Sequence, residues 1–313
     1  MPELPEVETI KRGLGRVLIG QQIKSVQILN KKQFQGNVKI LLNKKITKLE
    51  RRAKVLIFHL GSNLYLAVHL KMSGQLIYSP RAKEARVLSA VGLKKIKTIK
   101  SRPKKAYAQI GQAGDHLVIG GHPDIGYVES LPNKYTRIIF AFKGGSKLYF
   151  NDLRKFGWFR VLNRAGYEKL LAGFGPEALA ISLPKLQSLI QSGKGPTLKQ
   201  LLMDQTNLAG LGNIYASEVL FCAKVNPFRR TKSINLAEIK KIHHCIKKVL
   251  ELALKHQGTS DTFYRTASGG IGTFGQVAQV YKREGQLCQQ CGNKIVRKKL
   301  GGRSAHFCLI CQK

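Results

Sequence analysis

Four cysteines in the last 26 residues have the types and spacing that bind a metal ion. Cys288 and Cys291 form one C-x2-C pair, Cys308 and Cys311 form a second, and 16 residues separate the pairs. This spacing is typical of a closed, tetrahedral four-thiolate zinc site, whereas two disulfides are the structural alternative. So short a segment cannot bury a core of its own, so the metal must supply its folding energy. We therefore predict one structural zinc ion per chain.

The first eight residues, Met1 to Glu8, carry a second set of groups that can do chemistry. Removal of Met1, which a small following residue permits, would leave the secondary amine of Pro2 at the chain terminus. Such an amine attacks electrophilic carbon as catalytic lysines do, and its adduct with an aldehydic carbon is a permanently charged iminium. Glu3 and Glu6 are close enough in sequence to donate a proton and to stabilise cations. The alternative is that Pro2 and Pro5 only begin a helix.

The charge balance points to a polyanionic partner. The 313 residues contain 54 Lys and Arg against 17 Asp and Glu, a net charge of +37, and 43% of them are hydrophobic. That excess is spread along the chain, which favours nucleic acid over a membrane surface. No apolar run approaches the ~20 residues that span a bilayer, and the acidic N-terminus lacks a signal-peptide layout. We therefore expect a cytoplasmic protein with no membrane association.

The periodicity of the sequence indicates which elements position these groups. Apolar residues after Pro5 recur at helical spacing, and short β-rich runs then follow from Gln22 to Asn151, which predicts an antiparallel sandwich. Gly173 to Glu177 reads as a hinge, and helices are predicted beyond it, including one that begins with a capping box at Asn235. Cys222 and Cys245 lie beside apolar positions and are interpreted as buried thiols.

MPELPEVE at the N-terminus resembles the signature of the bacterial formamidopyrimidine-DNA glycosylases. Further motifs match in order: HLKMSG from His69, NDLRKFG from Asn151, and DQTNLAGLGNIYASE from Asp204. The resemblance implies an α+β fold with an N-terminal antiparallel β-sandwich and flanking helices, then a helical domain with a helix-two-turns-helix and a zinc-finger β-hairpin. The implied boundaries are a catalytic domain over 1–165, a hinge over 166–180, a DNA-binding domain over 181–284 and the finger over 285–313.

The same resemblance implies a function and a role for individual residues. The family excises oxidised purines from double-stranded DNA and then cleaves the abasic strand by β,δ-elimination, as a monomer in the bacterial cytoplasm, associated with the nucleoid through DNA. The catalytic residues would be Pro2, Glu3, Glu6, Lys54 and Arg303. The DNA-binding residues would be Met72, Tyr135, Arg154, Phe156, Lys194, Lys199 and Asn213, with Asn213 as a plain helix cap the alternative.

Three stretches depart from the family or stay open. A basic insert occupies about residues 79–132, and it is either an additional DNA-tracking segment or a solvated loop. Tyr135 and Arg137 stand where the family commonly has histidines, although both can still donate to phosphate. The glycine-rich stretch from Thr259 to Phe274 is either a lid over an everted base or a connector.

Two other functions fit parts of the sequence. An endonuclease VIII-like relative would prefer oxidised pyrimidines, but Leu4 and the intact set of Met72, Arg154 and Phe156 favour the purine enzyme. A non-catalytic zinc-dependent DNA-binding protein would equally explain the charge and the cysteines. Only the residues at the N-terminus distinguish that protein from an enzyme.

Overall fold

The computed structural model describes residues 1–80, 117–119, 131–193, 197–259 and 272–313. The chain forms two compact units, one of residues 1–168 with 257–272 and the other of residues 169–256 with 273–313. Most of the basic insert, Lys194 and most of the glycine-rich stretch after Thr259 lie outside the described residues. None of the helices in the described part of the chain combines the length and the apolar character needed to cross a membrane.

The first unit begins with helix α1, Leu4–Leu18, whose apolar residues recur every three or four positions and face the sandwich. Ten strands follow. They are β1 Ile23–Ile28, β2 Phe34–Gln35, β3 Lys48–Arg52, β4 Val55–His59, β5 Tyr65–His69, β6 Gly74–Ser79, β7 Leu117–Ile119, β8 Thr136–Phe142, β9 Lys147–Asp152 and β10 Trp158–Leu162. Single-turn 3-10 helices occupy Lys31–Gln33 and Lys39–Leu41.

The strands form two five-stranded sheets that enclose one core. The strand orders are β1-β8-β9-β6-β7 and β2-β10-β5-β4-β3, and every pairing is antiparallel except the short β2–β10 pair. Inward-facing residues of both sheets share a hydrophobic cluster in which Phe150 packs edge-on against Phe159, with ring centroids 4.9 Å apart. The predicted sandwich is confirmed, and its rigidity fixes the loops that leave it.

Several loops emerge at the same end of this sandwich. Strand β5 ends at His69 and β6 begins at Gly74, while β9 ends at Asp152 and β10 begins at Trp158. Because β10 pairs with β5 and β9 pairs with β6, the β5–β6 and β9–β10 loops lie side by side. Strand β4 pairs antiparallel with β5, so its first residue, Val55, lies at this end as well. Topology alone therefore brings together segments that are far apart in sequence.

The second unit is helical and ends in a hairpin. Helix α2, Arg164–Ala172, runs from the end of the first unit into the second and occupies part of the predicted hinge. The elements that follow are α3 Leu183–Gln191, α4 Leu198–Met203, α5 Asn213–Cys222, a 3-10 turn at Thr231–Ser233, α6 Leu236–Lys255 and α7 Phe274–Val277. The hairpin consists of β11 Ile295–Leu300 and β12 Arg303–Cys308. The capping box of α6 is present, because Asn235 and Glu238 each accept the other's backbone N–H.

One prediction about this unit is wrong. Cys222 and Cys245 are not separate thiols but form a disulfide that links α5 to α6, with Cα atoms 5.8 Å apart. The two helices pack against each other, and the pairing of residues 23 positions apart depends on that packing, which the apolar pattern of either helix alone does not reveal.

Gly74 has little space for a side chain, at the end of the sandwich where the β5–β6 and β9–β10 loops emerge. A Cβ added there would lie 2.4 Å from the carbonyl oxygen of Leu70 and 2.9 Å from the ring of Phe150. We expect Gly74→Ala to lower the free energy of unfolding by about 1–3 kcal/mol, because the β5–β6 loop must shift. Urea unfolding measures this change. The control is Gly15→Ala in helix α1, where the nearest atom is 3.7 Å away and no destabilisation is expected; equal destabilisation of both variants would contradict the packing argument.

Candidate active site and nucleic-acid interface

The start of helix α1 is buried and hydrogen-bonded. Pro2 and Glu3 are buried, whereas Met1 is exposed. Glu3 and Glu6 form a capping box, in which the Glu3 backbone N–H donates to Glu6 Oε2 over 2.8 Å. Glu6 Oε1 accepts from the backbone N–H of Thr259 over 2.7 Å. Two backbone N–H groups therefore bind the Glu6 carboxylate, which fastens the helix start to the segment that follows residue 256.

Ion pairs of the buried Glu8 carboxylate tie the same helix to the turn that carries Lys54. Glu8 contacts Lys11 and Arg12 on its own helix and Arg51 on β3, whose Nε lies 3.1 Å from Glu8 Oε2. Burial opposes ionisation of Glu8, but these three cations outweigh it and hold its pKa below the ordinary value. Arg51 also donates to the carbonyl of Ala53, the residue before the buried Lys54. Lys54 is thereby fixed relative to helix α1.

His69 is a candidate site residue that the sequence prediction missed. Burial, reinforced by the nearby charges of Lys71, Lys54 and Arg160, lowers the pKa of His69 from its ordinary value to about 3. Its Nδ1 accepts the backbone N–H of Lys71 over 2.9 Å. Because that nitrogen is an acceptor, a neutral ring carries its proton on Nε2. His69 is therefore a neutral donor at physiological pH. Its place three residues before Met72 in the HLKMSG motif was the available signal.

Met72 lies on the β5–β6 loop, and Arg154 and Phe156 lie on the neighbouring β9–β10 loop. Met72 is 38% exposed and Phe156 is 60% exposed, and an Arg154 guanidinium nitrogen lies 3.3 Å from the Met72 sulfur. Apolar side chains exposed this far on adjacent loops mark a surface that binds a partner. A flexible thioether and an aromatic ring are suited to enter a base stack.

Arg137 uses two of its donors for hydrogen bonds within the protein. Arg137 Nε donates to the carbonyl of Asp152 over 3.0 Å, and its Nη1 donates to the carbonyl of Lys134 over 3.0 Å. Arg137 thus braces the turn that holds Tyr135, which is half-buried beside the Lys134 ammonium.

The second unit presents a helix N-terminus at Asn213. Gln205 holds the preceding turn by donating to the carbonyls of Met203 and Leu211 and accepting the N–H of Gly210, all at 2.8–2.9 Å. The cap residue of helix α5 is Gly212, so the alternative in which Asn213 is the cap is wrong. Among the described residues Asn213 Oδ1 has no hydrogen-bond partner. The positive dipole end of this helix suits an anion.

Lys199 is placed differently from what its family role suggests. It is only 1% exposed, and its Nζ donates to Ser217 Oγ on helix α5 and to the carbonyl of Ser304, both over 2.9 Å. Ser304 follows Arg303, which is exposed at the start of β12. The Lys199 ammonium therefore holds the finger hairpin at the residue next to Arg303. Lys194 lies outside the described residues.

The four finger cysteines converge as a metal site requires. Their ligand atoms all lie within 4.8 Å of one another, and the Sγ pairs Cys288–Cys311 and Cys291–Cys308 are 3.8 Å and 3.4 Å apart. The Cys311 backbone N–H points at Cys308 Sγ, a contact that supports a thiolate ligand. Sulfur atoms at these separations surround a space that fits a tetrahedral zinc ion, so the residues match the predicted cofactor. The disulfide alternative is not what the structure shows for these cysteines.

Comparison with known families covers nearly the whole chain. Residues 1–159 match the formamidopyrimidine-DNA glycosylase N-terminal domain, residues 173–264 match the H2TH domain of the same enzymes, and residues 285–313 match the zinc finger found in FPG and IleRS. These matches agree with the sandwich, the helical segment and the hairpin described above.

Individual relatives are similar over their full length. The formamidopyrimidine-DNA glycosylase of Pelotomaculum thermopropionicum is 32% identical, with 100% of this chain and 99% of the relative covered. A mutant of the Lactococcus lactis FPG, solved in complex with a Fapy-dG containing DNA, is 28% identical with a TM-score of 0.77 and complete coverage of both chains. The L. lactis Fpg complex with an abasic site containing DNA is 27% identical with a TM-score of 0.76 and 99% coverage of both chains. The chain therefore belongs to the formamidopyrimidine-DNA glycosylase family.

Proposed function

We propose that this protein is a bifunctional DNA glycosylase and abasic-site lyase of base excision repair, with Pro2 as the nucleophile. One observation carries the proposal: a buried helix start with Pro2 and Glu3 belongs to a helix that the Arg51–Glu8 ion pair links to the turn of Lys54, at the end of the sandwich where Met72, Arg154 and Phe156 are exposed. A nucleophile on a rigid element next to a surface that can disrupt base stacking is what excision from duplex DNA requires. The substrates are oxidised purines in double-stranded DNA.

The chemistry follows from the properties of a secondary amine. The lone pair of the Pro2 nitrogen attacks C1′ of the damaged nucleotide, the bond from C1′ to the base breaks, and the nitrogen loses its proton. The bond from C1′ to the ring oxygen O4′ then breaks, and Glu3 supplies the proton that assists departure of the base or opening of the sugar. The resulting iminium withdraws electrons and acidifies the hydrogen on C2′. Loss of that proton expels the 3′ phosphate, and loss of the C4′ proton then expels the 5′ phosphate. Glu6 positions the helix start and lies close to the cationic intermediates, which it stabilises.

Extrusion of the damaged base has to be offset by new contacts. Unstacking and unpairing one base costs a few kcal/mol. Met72 and Arg154 fill the vacated space, and Phe156 inserts between base pairs on the opposite strand. Their adjacent loops and their exposure support this assignment.

Phosphate binding is shared by groups in both units. Lys54 supplies a positive charge, and the neutral His69 and Tyr135 supply directed donors, at the site end of the sandwich. In the second unit the Asn213 helix start and Arg303 bind phosphates flanking the lesion, and Lys199 contributes by holding Arg303 in place. Zinc bound by the four cysteines keeps the hairpin of Arg303 folded. We further propose that the protein acts as a monomer in the bacterial cytoplasm and associates with the nucleoid through DNA.

Trapping of the covalent intermediate tests the proposed nucleophile. With duplex DNA containing 8-oxoguanine and with abasic DNA, borohydride is expected to reduce the iminium to a stable protein–DNA adduct. Pro2→Gly should lower the adduct yield strongly while DNA binding persists, and Pro5→Ala should retain it, because Pro5 lies within the helix. Absence of an adduct with wild-type protein on abasic DNA would refute the lyase. A clear preference for thymine glycol over 8-oxoguanine would refute the purine specificity.

The salt dependence of binding tests the phosphate contact of Arg303. Removal of one phosphate contact should reduce the slope of log affinity against log salt concentration by about 1. We therefore expect a shallower slope for Arg303→Ala. The control is Arg164→Gln, because Arg164 pairs with Glu168 and has no assigned phosphate contact. A slope unchanged by Arg303→Ala would exclude the contact.

Zinc content tests the role of the finger cysteines. The wild-type protein should contain one zinc ion per chain, and Cys308→Ser should lose zinc together with tight DNA binding, because the metal supplies the folding energy of the hairpin. Cys245→Ser removes the disulfide but no ligand, so its zinc content should match the wild type. Retention of stoichiometric zinc in Cys308→Ser would contradict the four-thiolate assignment.

A further inference from the structure

One carboxylate joins the two loops that carry Met72, Arg154 and Phe156, which we call the wedge residues. Asp152, the last residue of β9, is fully buried. Its Oδ1 accepts the hydroxyl of Ser73 over 2.5 Å, and its Oδ2 accepts the backbone N–H of Gly157 and the side-chain amide of Gln33, each over 2.8 Å. Three donors from three separate segments thus converge on a single side chain.

Two of these donors, Ser73 and Gly157, are next to wedge residues in the sequence. Ser73 follows Met72, Gly157 follows Phe156, and Ser73 Oγ in turn accepts the backbone N–H of Arg154 over 2.9 Å. Ser73 therefore donates to Asp152 and accepts from Arg154, so a continuous chain of hydrogen bonds links both loops. Gln33 adds a second bond, to the Gly157 carbonyl, over 2.9 Å.

Packing leaves these loops little freedom to move. A Cβ added at Gly157 would lie 2.6 Å from the ring of Phe150, 3.1 Å from Asp152 Oδ2 and 3.2 Å from the His69 carbonyl. A buried carboxylate is costly unless its oxygens are hydrogen-bonded, and removal of one donor leaves it under-satisfied. The arrangement is consequently stable only when both loops are in the observed positions.

We propose that Asp152 is a positioning residue that holds Met72, Arg154 and Phe156 ready to enter DNA as a single rigid wedge. The inference rests on the proposed role of those three side chains in base extrusion. Loops that are already ordered lose little conformational entropy when they enter the base stack, so more of their contact energy is available to offset the lost stacking. Asp152 itself contacts none of the reacting atoms in this mechanism.

Two variants separate this role from a general structural one. Ser73→Ala removes the hydroxyl that connects the loops, and Asp152→Asn turns one acceptor into a donor that faces other donors. The matched control is Ser146→Ala, since Ser146 is also fully buried in the sandwich and its hydroxyl makes only a 3.4 Å bond to Gln21. The substrates are an 8-oxoguanine duplex, which requires base extrusion, and a single-stranded abasic oligonucleotide, which does not.

The proposal predicts different effects on the two substrates. Excision from the duplex should slow by about tenfold or more in Ser73→Ala and Asp152→Asn, because small misplacements of positioning groups cost one to two orders of magnitude. Borohydride trapping on the single strand should stay within about twofold of the wild-type yield, since the chemical step itself is intact. A 2-aminopurine opposite the lesion should show a smaller fluorescence rise than with wild-type protein. Ser146→Ala should behave as wild type throughout.

Other outcomes overturn the proposal. Parallel decreases on both substrates, together with a lowered melting temperature, would make Asp152 a purely structural residue, and unchanged duplex excision in Ser73→Ala would exclude the link between loops. If Asp152→Asn does not fold, Ser73→Ala alone decides between these results. If the proposed function itself is wrong, the wild-type protein gives no trapped adduct on either substrate. That result distinguishes failure of the proposed function from failure of the Asp152 proposal.

Discussion

The hydrogen bonds of the buried Glu6 carboxylate are the interaction on which the proposed chemistry of this protein depends. Chain ends usually fray, and a nucleophile on a frayed end would lose most of its advantage over a free amine. Glu6 prevents this because its two oxygens bind the backbone N–H groups of Glu3 and Thr259, at 2.8 Å and 2.7 Å. Gly258 is packed so closely that an added Cβ would lie 2.7 Å from Glu6 Oε1. The helix start is thereby held from both sides.

At other parts of the proposed site, too, a charged side chain holds separate segments together. Arg51 links Glu8 to the turn of Lys54, Asp152 links the two wedge loops, and Lys199 links helix α5 to the hairpin of Arg303. In each case a buried or partly buried charged group binds donors or acceptors from segments far apart in sequence. Such groups are costly to bury unless every partner is in place, so they favour one arrangement of the loops over others. The exposed side chains that are proposed to contact DNA are therefore supported by less exposed side chains with no proposed DNA contact.

Local patterns in the sequence were sufficient for several elements, whereas the motif residues came from the family resemblance. Helical spacing predicted α1, short β-rich runs predicted the sandwich, and C-x2-C spacing predicted the zinc site, because each depends on residues close together in sequence. The disulfide of Cys222 with Cys245 and the partners of Asp152 were beyond such reasoning. Gln33 lies 119 residues before Asp152 and Ser73 lies 79 before it, so only the folded sheets reveal that they meet. Likewise, nothing in the sequence indicates that Lys199 is buried.

The most direct test of the central claim locates the covalent bond within the protein. An active preparation would be incubated with abasic DNA and reduced with borohydride, the DNA trimmed by nuclease, and the protein digested for tandem mass spectrometry. We predict that the sugar remnant is attached to a peptide that begins at Pro2, with Met1 absent. A remnant attached to Lys54 or to any other lysine, or an active protein that retains Met1, would contradict the account.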